Sequence, residues 1–371
     1  MWGSEQPRLE PLEHDSGLNA GWANKRNMGS PTITIIVTVL NDKRVGRTIE
    51  SIRKQTVAPL EVIVADGGSK DGTFELVEEL AKNDKSLLPR KLPGTIPESR
   101  NQAIAIAQGE LVAFLDADEV APEGWLEALV APFGDPKIGF TAGPTPALPG
   151  TAGTIGAAYY DAYLNRFYEK VASKNLHALP MGNSAWRTSL FKELGALDTT
   201  LYPKAASEDQ DFALRVLKAG HKGCYVPAAW VHHDYSGLTV AKLLSKQATY
   251  ATGGYVVWRR KKSTYEASGS RMTPYLIPPA MLVIALIMLV AVPSLALVAE
   301  VIAALGVLAF TALFMALLVD GIIGDSRYPG WRFRPVEILR RWVTLYGAFR
   351  GLLKYGLSGR AESEPTTTES G

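Results

Sequence analysis

Short β-branched runs alternate with amphipathic helical stripes over the first 120 residues, and this alternation limits the folds open to the chain. Residues 33–40 (Ile-Thr-Ile-Ile-Val-Thr-Val-Leu) and 61–65 (Glu-Val-Ile-Val-Ala) have the length and composition of strands buried on both faces. A third such strand is predicted over 110–115, and helices are predicted after the first two strands and over 97–108. This order predicts an α/β fold with a mostly parallel sheet and right-handed crossovers.

Polar clusters follow each of these predicted strands. They are Asn41-Asp42, Asp66–Ser69 and Asp116–Asp118. In open α/β sheets, ligands bind beyond the carboxyl ends of the strands. Because the three clusters should meet at that rim, the sequence predicts a binding site there.

Asp116 and Asp118 bring two carboxylates to the end of a buried strand, where their mutual repulsion is costly. A divalent cation relieves that repulsion, and Mn²⁺ or Mg²⁺ prefers oxygen ligands and shares them with substrate phosphates. The sequence therefore predicts a Mn²⁺ or Mg²⁺ site, with a simple turn and helix cap as the alternative explanation.

Composition and missing motifs exclude several functions. The net charge of +2 does not suit a dedicated nucleic-acid binder, so no nucleic-acid partner is expected. The single cysteine, Cys224, allows neither an intrachain disulfide nor a cysteine metal cluster. Neither the dinucleotide-binding glycine pattern nor the P-loop pattern follows the first strand, which disfavours redox chemistry and P-loop hydrolysis.

The motifs taken in order resemble glycosyltransferase family 2, which has the GT-A fold, over about residues 32–235. The resemblance rests on this series: Thr38-Val39-Leu40-Asn41, Asp66–Thr73, Ser99-Arg100-Asn101, Leu115–Asp118, Gly182-Asn183-Ser184, Arg187 and Ser207–Asp211. One departure is Val120, which stands where the dolichol-phosphate-sugar synthases of the family have a polar residue that helps to hold metal. The resemblance therefore does not extend to that subfamily.

The resemblance implies a role for each matching residue. The donor-binding residues would be Thr38, Val39, Asn41, Asp66, Arg100, Asp116 and Ala117. The metal ligands would be Asp116, Asp118 and a histidine, for which His232 is chosen over its neighbour His233. Asp209 would be the general base with Glu208 beside it, and Asp211 is the alternative base.

The acceptor would contact Gly182, Asn183 and Trp186, with core packing as the alternative role of Trp186. The implied chemistry needs charge stabilisation of a leaving diphosphate, deprotonation of an acceptor hydroxyl and alignment of the two substrates. Attack opposite the leaving group inverts the anomeric carbon without a covalent intermediate.

Two apolar runs in tandem predict a transmembrane hairpin. Residues 275–291 carry no charge, and residues 295–319 are apolar apart from Glu300. Basic residues flank the hairpin on both sides: Arg259–Lys262, Arg327, Arg332, Arg334, Arg340 and Arg341. This flanking charge predicts an integral membrane protein with the catalytic domain and both termini in the cytoplasm. A pair of buried core helices is the alternative.

These observations divide the chain into six predicted segments. They are a disordered N-terminal tail (1–30), a GT-A domain (31–240), a membrane-proximal helical segment (241–273), two transmembrane helices (274–320), an amphipathic segment (321–358) and a disordered C-terminal tail (359–371). The hypothesis is an inverting, metal-dependent, non-processive glycosyltransferase that moves a sugar from a UDP- or GDP-sugar to a lipid-linked or other membrane-associated glycan acceptor. The alternatives are a nucleotidyltransferase of GT-A fold and a non-catalytic membrane scaffold.

Overall fold

The computed structural model describes residues 31–170, 179–262, 293–322 and 331–356, with single positions between 281 and 291. The two tails predicted to be disordered, 1–30 and 359–371, lie outside the described residues.

Seven strands form one sheet in the order β3-β2-β1-β4-β7-β6-β8, and β5 pairs with β9 in a separate ribbon. The strands are β1 (Ile33–Val39), β2 (Glu61–Asp66), β3 (Leu87–Lys91), β4 (Leu111–Asp116), β5 (Glu119–Val120), β6 (Ile138–Ala142), β7 (Ser184–Arg187), β8 (Lys222–Tyr225) and β9 (His232–His233). The first four strands run parallel, and β7 runs antiparallel between β4 and β6. The predicted mostly parallel α/β sheet is thus confirmed.

The described residues also form the helices α1 (Val45–Arg53), α2 (Thr73–Ala81), α3 (Ile96–Ile106), α4 (Trp125–Val130), α5 (Ile155–Lys170), α6 (Thr188–Glu193), α7 (Glu208–Lys218), α8 (Val240–Lys262), α9 (Ala296–Ile322) and α10 (Arg334–Tyr355). Helices α1, α2 and α3 confirm the three helices predicted from periodicity. Strand β3 was not predicted, because Pro89 and two basic residues interrupt its apolar pattern. Such residues are tolerated at a sheet edge, which is where β3 lies.

Two apolar clusters hold the central strands in place. One face of β1, β2 and β4 packs against α1 and α4, with Trp125 fully buried among them. The other face packs against α3, α6 and α7, where Trp186 stacks on Phe140 with ring centroids 4.5 Å apart. Since each strand is buried on both faces, only its ends are open to ligands.

The strand register places the carboxyl ends of β1, β2 and β4 next to one another at the same edge of the sheet. Val39 of β1 lies opposite Asp66 of β2, and Thr38 lies opposite Asp116 of β4. The carboxylates of Asp66 and Asp116 therefore emerge on the same rim, on either side of the end of β1.

Helices α8 and α10 pack closely because glycines face the partner backbone. A β-carbon on Gly347 would lie 2.6 Å from the Ala248 carbonyl oxygen, and one on Gly351 would lie 2.9 Å from that of Thr252. A buried polar network also holds α10: Glu337 accepts hydrogen bonds from Tyr159 of α5 and from Arg341 (2.7 Å). The last described helix is therefore part of the folded domain.

The predicted membrane hairpin is only partly within the described residues. Its first apolar run, 275–291, falls mostly outside them, and α9 covers the second run. Within the described ranges, no helix is both long and apolar enough to cross a membrane.

The backbone of helix α8 also packs directly against the backbone of the loop before α7. A β-carbon on Gly253 would lie 1.8 Å from the Ala206 carbonyl oxygen, whereas one on Gly254 would meet no atom closer than 4.0 Å. We expect Gly253→Ala to lower the free energy of unfolding by about 2 kcal/mol or more, because the helix must move away from the loop.

Gly254→Ala is the matched control, and we expect it to be neutral or to raise stability by up to about 1 kcal/mol through helix propensity. Urea denaturation monitored by circular dichroism measures both. Equal midpoints for the two variants would show that the contact with Ala206 does not constrain the fold.

Candidate functional site

Asp66 is the last residue of β2, and only one of its two carboxylate oxygens accepts hydrogen bonds from the described residues. Its Oδ1 accepts hydrogen bonds from the backbone N–H groups of Gly68 and Ser69, both at 2.8 Å. Its Oδ2 is buried and has no hydrogen-bond partner among the described residues. Because an unsatisfied buried oxygen costs about 1–3 kcal/mol, a ligand N–H or O–H placed there would recover that energy.

Asn41 joins the loops that follow β1 and β2. Its φ of 51° lies in the left-handed region, which asparagine tolerates better than most residues. Its Oδ1 accepts from the Lys70 N–H at 2.8 Å, and its own N–H donates to the Ser69 hydroxyl at 2.8 Å. Thr38 and Val39 lie just before it, and the Val39 carbonyl accepts from the Gly67 N–H. Asn41 therefore joins the loop after β1 to the loop after β2, and this brings the predicted donor-binding residues of the two strands together.

Arg100 is a buried cation, 6% exposed, that joins three elements. Its guanidinium donates to Asp116 Oδ1 at 2.8 Å and lies 3.7 Å from Glu208 Oε1. Its Nε has no hydrogen-bond partner among the described residues. Burial raises the pKa of Glu208 to about 7, the charge of Asp209 adds to the rise, and Arg100 opposes it. Arg100 thus holds Asp116 of β4 beside the start of α7.

His233, and not His232, lies against Asp118. The His233 Nε2 atom is 3.2 Å from Asp118 Oδ2, and its Nδ1 is 3.4 Å from Glu119 Oε1. His232 contacts the Ala147 carbonyl instead, at 3.1 Å. Neighbouring side chains on a strand point to opposite faces, so β9 presents one of the two histidines to the site. The structure therefore brings His233, and not the predicted His232, to the carboxylate of Asp118.

Charges around Asp118 favour its ionised form. Burial would raise its pKa, but the hydrogen bond and charge of His233 and the charge of Arg44 lower it. The Arg44 guanidinium lies 3.3 Å from Asp118 Oδ2. For His233, burial would lower the pKa, yet Asp118 and Glu119 raise it to about 10. Arg44 and His233 therefore both lie against Asp118, and Arg44 also pairs with Asp42 at 2.6 Å.

The oxygen donors present suit a metal that takes most of its ligands from a substrate. No group of three or more His, Cys, Asp or Glu side chains in the described ranges has the arrangement of a metal site. Asp116 and Asp118 still offer carboxylate oxygens, with the His233 imidazole beside them. Mg²⁺ is commonly held by one or two carboxylates plus phosphate oxygens and water, so these residues fit such an ion. Ala117, between the two aspartates, is buried and accepts from the Thr48 hydroxyl.

Asp209 lies in the first turn of α7 and is held by backbone donors. Its Oδ1 accepts from the Gln210 N–H at 2.7 Å, and its Oδ2 accepts from the Met181 N–H at 3.3 Å. Burial raises the pKa of Asp209, which suits a general base better than an ordinary aspartate does. Asp211, the alternative base, is 1% exposed and pairs with Arg215 at 3.1 Å.

Gly182 lies between the two functional carboxylates. A β-carbon there would lie 2.4 Å from Asp116 Oδ2, and the preceding residue, Met181, donates to Asp209. Asp116 and Asp209 therefore lie on either side of one short turn, Met181–Asn183.

The other two predicted acceptor residues are placed in the core. Asn183 is fully buried, accepts from Trp125 Nε1 at 2.8 Å and donates to the Ala229 carbonyl at 2.8 Å. Trp186 is 2% exposed and donates to the Ser184 hydroxyl. Neither side chain has surface to offer an acceptor, so Asn183 and Trp186 are structural here and Gly182 alone borders the site.

Sequence reasoning missed Arg44 and Glu119. Glu119 directly follows the Asp-x-Asp motif, so its position was a usable signal; its Oε2 accepts from the Asp116 N–H at 2.9 Å. Arg44 is separated from Asp118 by 74 positions, and only the fold brings the two together.

Comparisons with known proteins show which proteins the chain is similar to. Residues 34–195 match the family model described as Glycosyl transferase family 2. The chain is 28% identical to the pre-mycofactocin glycosyltransferase of Mycobacterium tuberculosis over 228 residues, which cover 59% of this chain and 46% of that protein. It is 26% identical to the glycosyltransferase AglE of Haloferax volcanii over 62% of this chain and 74% of that protein. The chain thus spans about half the length of the mycobacterial relative.

Among solved structures, the chain resembles the mannosyltransferase PcManGT from Pyrobaculum calidifontis, described in complex with GDP-Man and Mn²⁺. The TM-score is 0.58 with 17% identity, and the likeness covers 88% of each chain. At this identity the likeness bears on the fold alone, and it agrees with the predicted GT-A architecture.

Gly182 provides the test of the site geometry. We expect Gly182→Ala to displace the Asp116 carboxylate and to weaken binding of a nucleoside diphosphate with Mn²⁺ about tenfold or more. Gly134→Ala is the control, since a β-carbon there meets no atom within 4 Å. Titration calorimetry with GDP and UDP measures both variants. Unchanged affinity in Gly182→Ala would show that the close approach to Asp116 has no part in binding.

Proposed function

We propose that the protein is an inverting, metal-dependent glycosyltransferase, because residues 34–195 match the family model described as Glycosyl transferase family 2. It moves a sugar from a nucleotide-sugar to an acceptor at a membrane. The observation that carries the proposal is the pairing of Asp116 and Asp209 across the turn at Gly182, with Asp66 on the same rim. A donor bound along that rim would present its sugar to Asp209.

The donor would lie with its base at the unsatisfied oxygen of Asp66 and its diphosphate at Asp118. The Arg44 guanidinium at Asp118 favours an anionic group there. A bound Mn²⁺ or Mg²⁺, held by Asp116, Asp118 and His233, would offset the charge of the leaving diphosphate. The donor is a GDP- or UDP-sugar, a choice supported by the GDP-Man and Mn²⁺ of the mannosyltransferase with the same fold.

Asp209 would act as the general base. The acceptor hydroxyl oxygen forms a bond to the anomeric carbon while the bond from that carbon to the diphosphate oxygen breaks. The hydroxyl proton passes to Asp209, and the nucleoside diphosphate leaves on the opposite face. One such displacement inverts the anomeric carbon. Glu208 is occupied with Arg100, so its role is to position Arg100 and the start of α7.

The acceptor is a lipid-linked or other membrane-associated glycan, and the protein is an integral membrane protein with its catalytic domain and both termini in the cytoplasm. The apolar runs 275–291 and 295–319 and their basic flanks support this part of the proposal. An anchored enzyme meets such an acceptor in two dimensions, which raises its effective concentration.

Loss of the two key carboxylates tests the reaction. Membranes that contain the protein are mixed with labelled nucleotide-sugars and lipid extract, with Mn²⁺ or with chelator. We expect metal-dependent label in the organic phase, reduced by a factor of about 10² or more in Asp118→Ala and Asp209→Asn.

Asp211→Asn is the matched control for Asp209→Asn, because Asp211 lies two residues further along α7 and faces Arg215. We expect it to retain transfer at the level that its folded fraction allows. Label that stays aqueous would refute the lipid acceptor, and full activity in Asp209→Asn would refute its role as base.

Membrane attachment is tested separately by extraction. We expect the full chain to stay in the membrane pellet after a wash at alkaline pH and to be released by detergent, since a spanning hairpin is held by apolar burial and not by charge. Release by the alkaline wash alone would refute an integral anchor.

A further inference from the structure

Glu119 is a buried carboxylate next to Asp118, and the proposed reaction gives it no role. Its side chain is 2% exposed. Its Oε2 accepts from the Asp116 N–H at 2.9 Å, and its Oε1 lies 3.4 Å from the His233 Nδ1 atom. A buried carboxylate is costly unless it is paired, and here each of the two oxygens has one partner that belongs to the site.

The pairing of β5 with β9 determines which histidine Glu119 meets. Glu119 lies directly opposite His233 in the register of the two strands, and Val120 lies opposite His232. The side chains of directly opposite residues lie on the same face of a strand pair, and the faces alternate along each strand. The contact between the carboxylate and His233 therefore follows from the backbone register as well as from the distance.

Helix α1 holds the backbone on both sides of the Glu119 side chain. The Thr48 hydroxyl lies 2.9 Å from the Ala117 carbonyl oxygen and 2.7 Å from the Glu119 carbonyl oxygen. The Ala121 N–H donates to the Ser51 hydroxyl at 3.1 Å. Because the chain is fixed before and after Glu119, its carboxylate is held in one place, as a group that orients a metal ligand requires.

The His233 imidazole is held at both of its nitrogen atoms and on one face. Its Nε2 lies 3.2 Å from Asp118 Oδ2, and its Nδ1 faces Glu119. The Tyr235 ring stacks on it with centroids 4.5 Å apart, and the Tyr235 hydroxyl donates to the Thr145 carbonyl at 3.0 Å. A neutral imidazole carries one proton, so a carboxylate at Nδ1 keeps the proton there and leaves the Nε2 lone pair toward Asp118.

We propose that Glu119 is a positioning residue of the metal site, whose carboxylate holds the His233 proton on Nδ1 so that Nε2 binds the divalent cation at Asp118. This inference rests on the proposed metal-dependent transfer. A carboxylate behind a metal-binding histidine fixes its tautomer and ring orientation, and loss of such a group typically costs about ten- to a hundredfold in metal affinity. The second oxygen of Glu119 joins the same side chain to the Asp116 backbone.

Glu119→Gln separates the two contacts of this side chain. The amide oxygen can still accept from the Asp116 N–H, whereas the amide NH₂ donates where the carboxylate accepted. It therefore binds an Nδ1 that carries no proton and places the imidazole proton on Nε2, toward Asp118. An imidazole in that tautomer has no lone pair to offer the cation.

The tautomer is tested by pulsed electron paramagnetic resonance of Mn²⁺ bound, together with GDP or UDP, to the full-length protein in detergent at about pH 8. At this pH the Glu119 carboxyl, whose pKa is raised by burial to about 7, is mostly ionised. We expect the wild type to show the ¹⁴N coupling of a directly bound imidazole and Glu119→Gln to lose it. We also expect this variant to bind Mn²⁺ about tenfold or more weakly, measured from the signal of free Mn²⁺.

Glu61→Gln is the matched control. Glu61 is also buried, and it accepts from the Gln108 N–H and from the Thr34 hydroxyl, both at 2.8 Å. It is the first residue of β2, at the opposite end of that strand from Asp66. We expect Glu61→Gln to lower the thermal midpoint but to keep the ¹⁴N coupling and the Mn²⁺ affinity of the wild type.

A double-mutant cycle with His233→Ala shows whether Glu119 acts through the histidine. In the His233→Ala background, we expect Glu119→Gln to weaken Mn²⁺ binding by less than about threefold, because the group that it orients is gone. A further tenfold loss in that background would overturn the proposal, since Glu119 would then act on the metal site without His233.

A ¹⁴N coupling that persists in Glu119→Gln, or that is missing from a wild type with bound Mn²⁺, would overturn this inference while metal-dependent sugar transfer upholds the proposed function. A wild type that binds no Mn²⁺ with either nucleotide and transfers no sugar would overturn both. The wild-type spectrum needs no variant, so it tests the inference even where Glu119→Gln does not fold.

Discussion

The buried guanidinium of Arg100 is the contact on which the rest of the site depends. It lies between Asp116 at the end of β4 and the buried Glu208 at the start of α7, and its positive charge stabilises the carboxylates of both. Removal of one partner from a buried ion pair typically costs about 3–5 kcal/mol, because the remaining charge is left uncompensated. The ion pairs of Arg100 therefore hold two distant parts of the chain together, and they fix where Asp209 lies relative to the strand ends.

The site divides into two parts of different origin. The parallel strands supply Asp66, Asp116 and Asp118 from a region whose order follows from local sequence. The later part of the chain supplies Asp209 and His233, which reach the rim only through β7, the turn at Gly182 and the pairing of β9 with β5. The distances between the carboxylates of the first part and Asp209 and His233 of the second part therefore depend on these contacts.

The same division explains what could be predicted. Strands, helices and the Asp-x-Asp position were predictable because periodicity and burial act over a few residues. Which of the two histidines lies against Asp118 was not predictable, because this depends on the register of β9 against β5, which lies more than 100 residues earlier. Core packing was foreseen as an alternative for Trp186, whereas the burial of Asn183 was not predictable, since its partners Trp125 and Ala229 come from other elements.

The close packing of α10 on α8 has a consequence for how the protein is made. Helix α8 is complete at residue 262, yet the helix that covers its outer side ends only at Tyr355. During synthesis from the N-terminus, the ribosome must add nearly a hundred further residues before that side of α8 can be covered. The nascent domain therefore carries an uncovered helix face through the whole interval in which the apolar runs emerge, and this face is covered only after Tyr355 has been added.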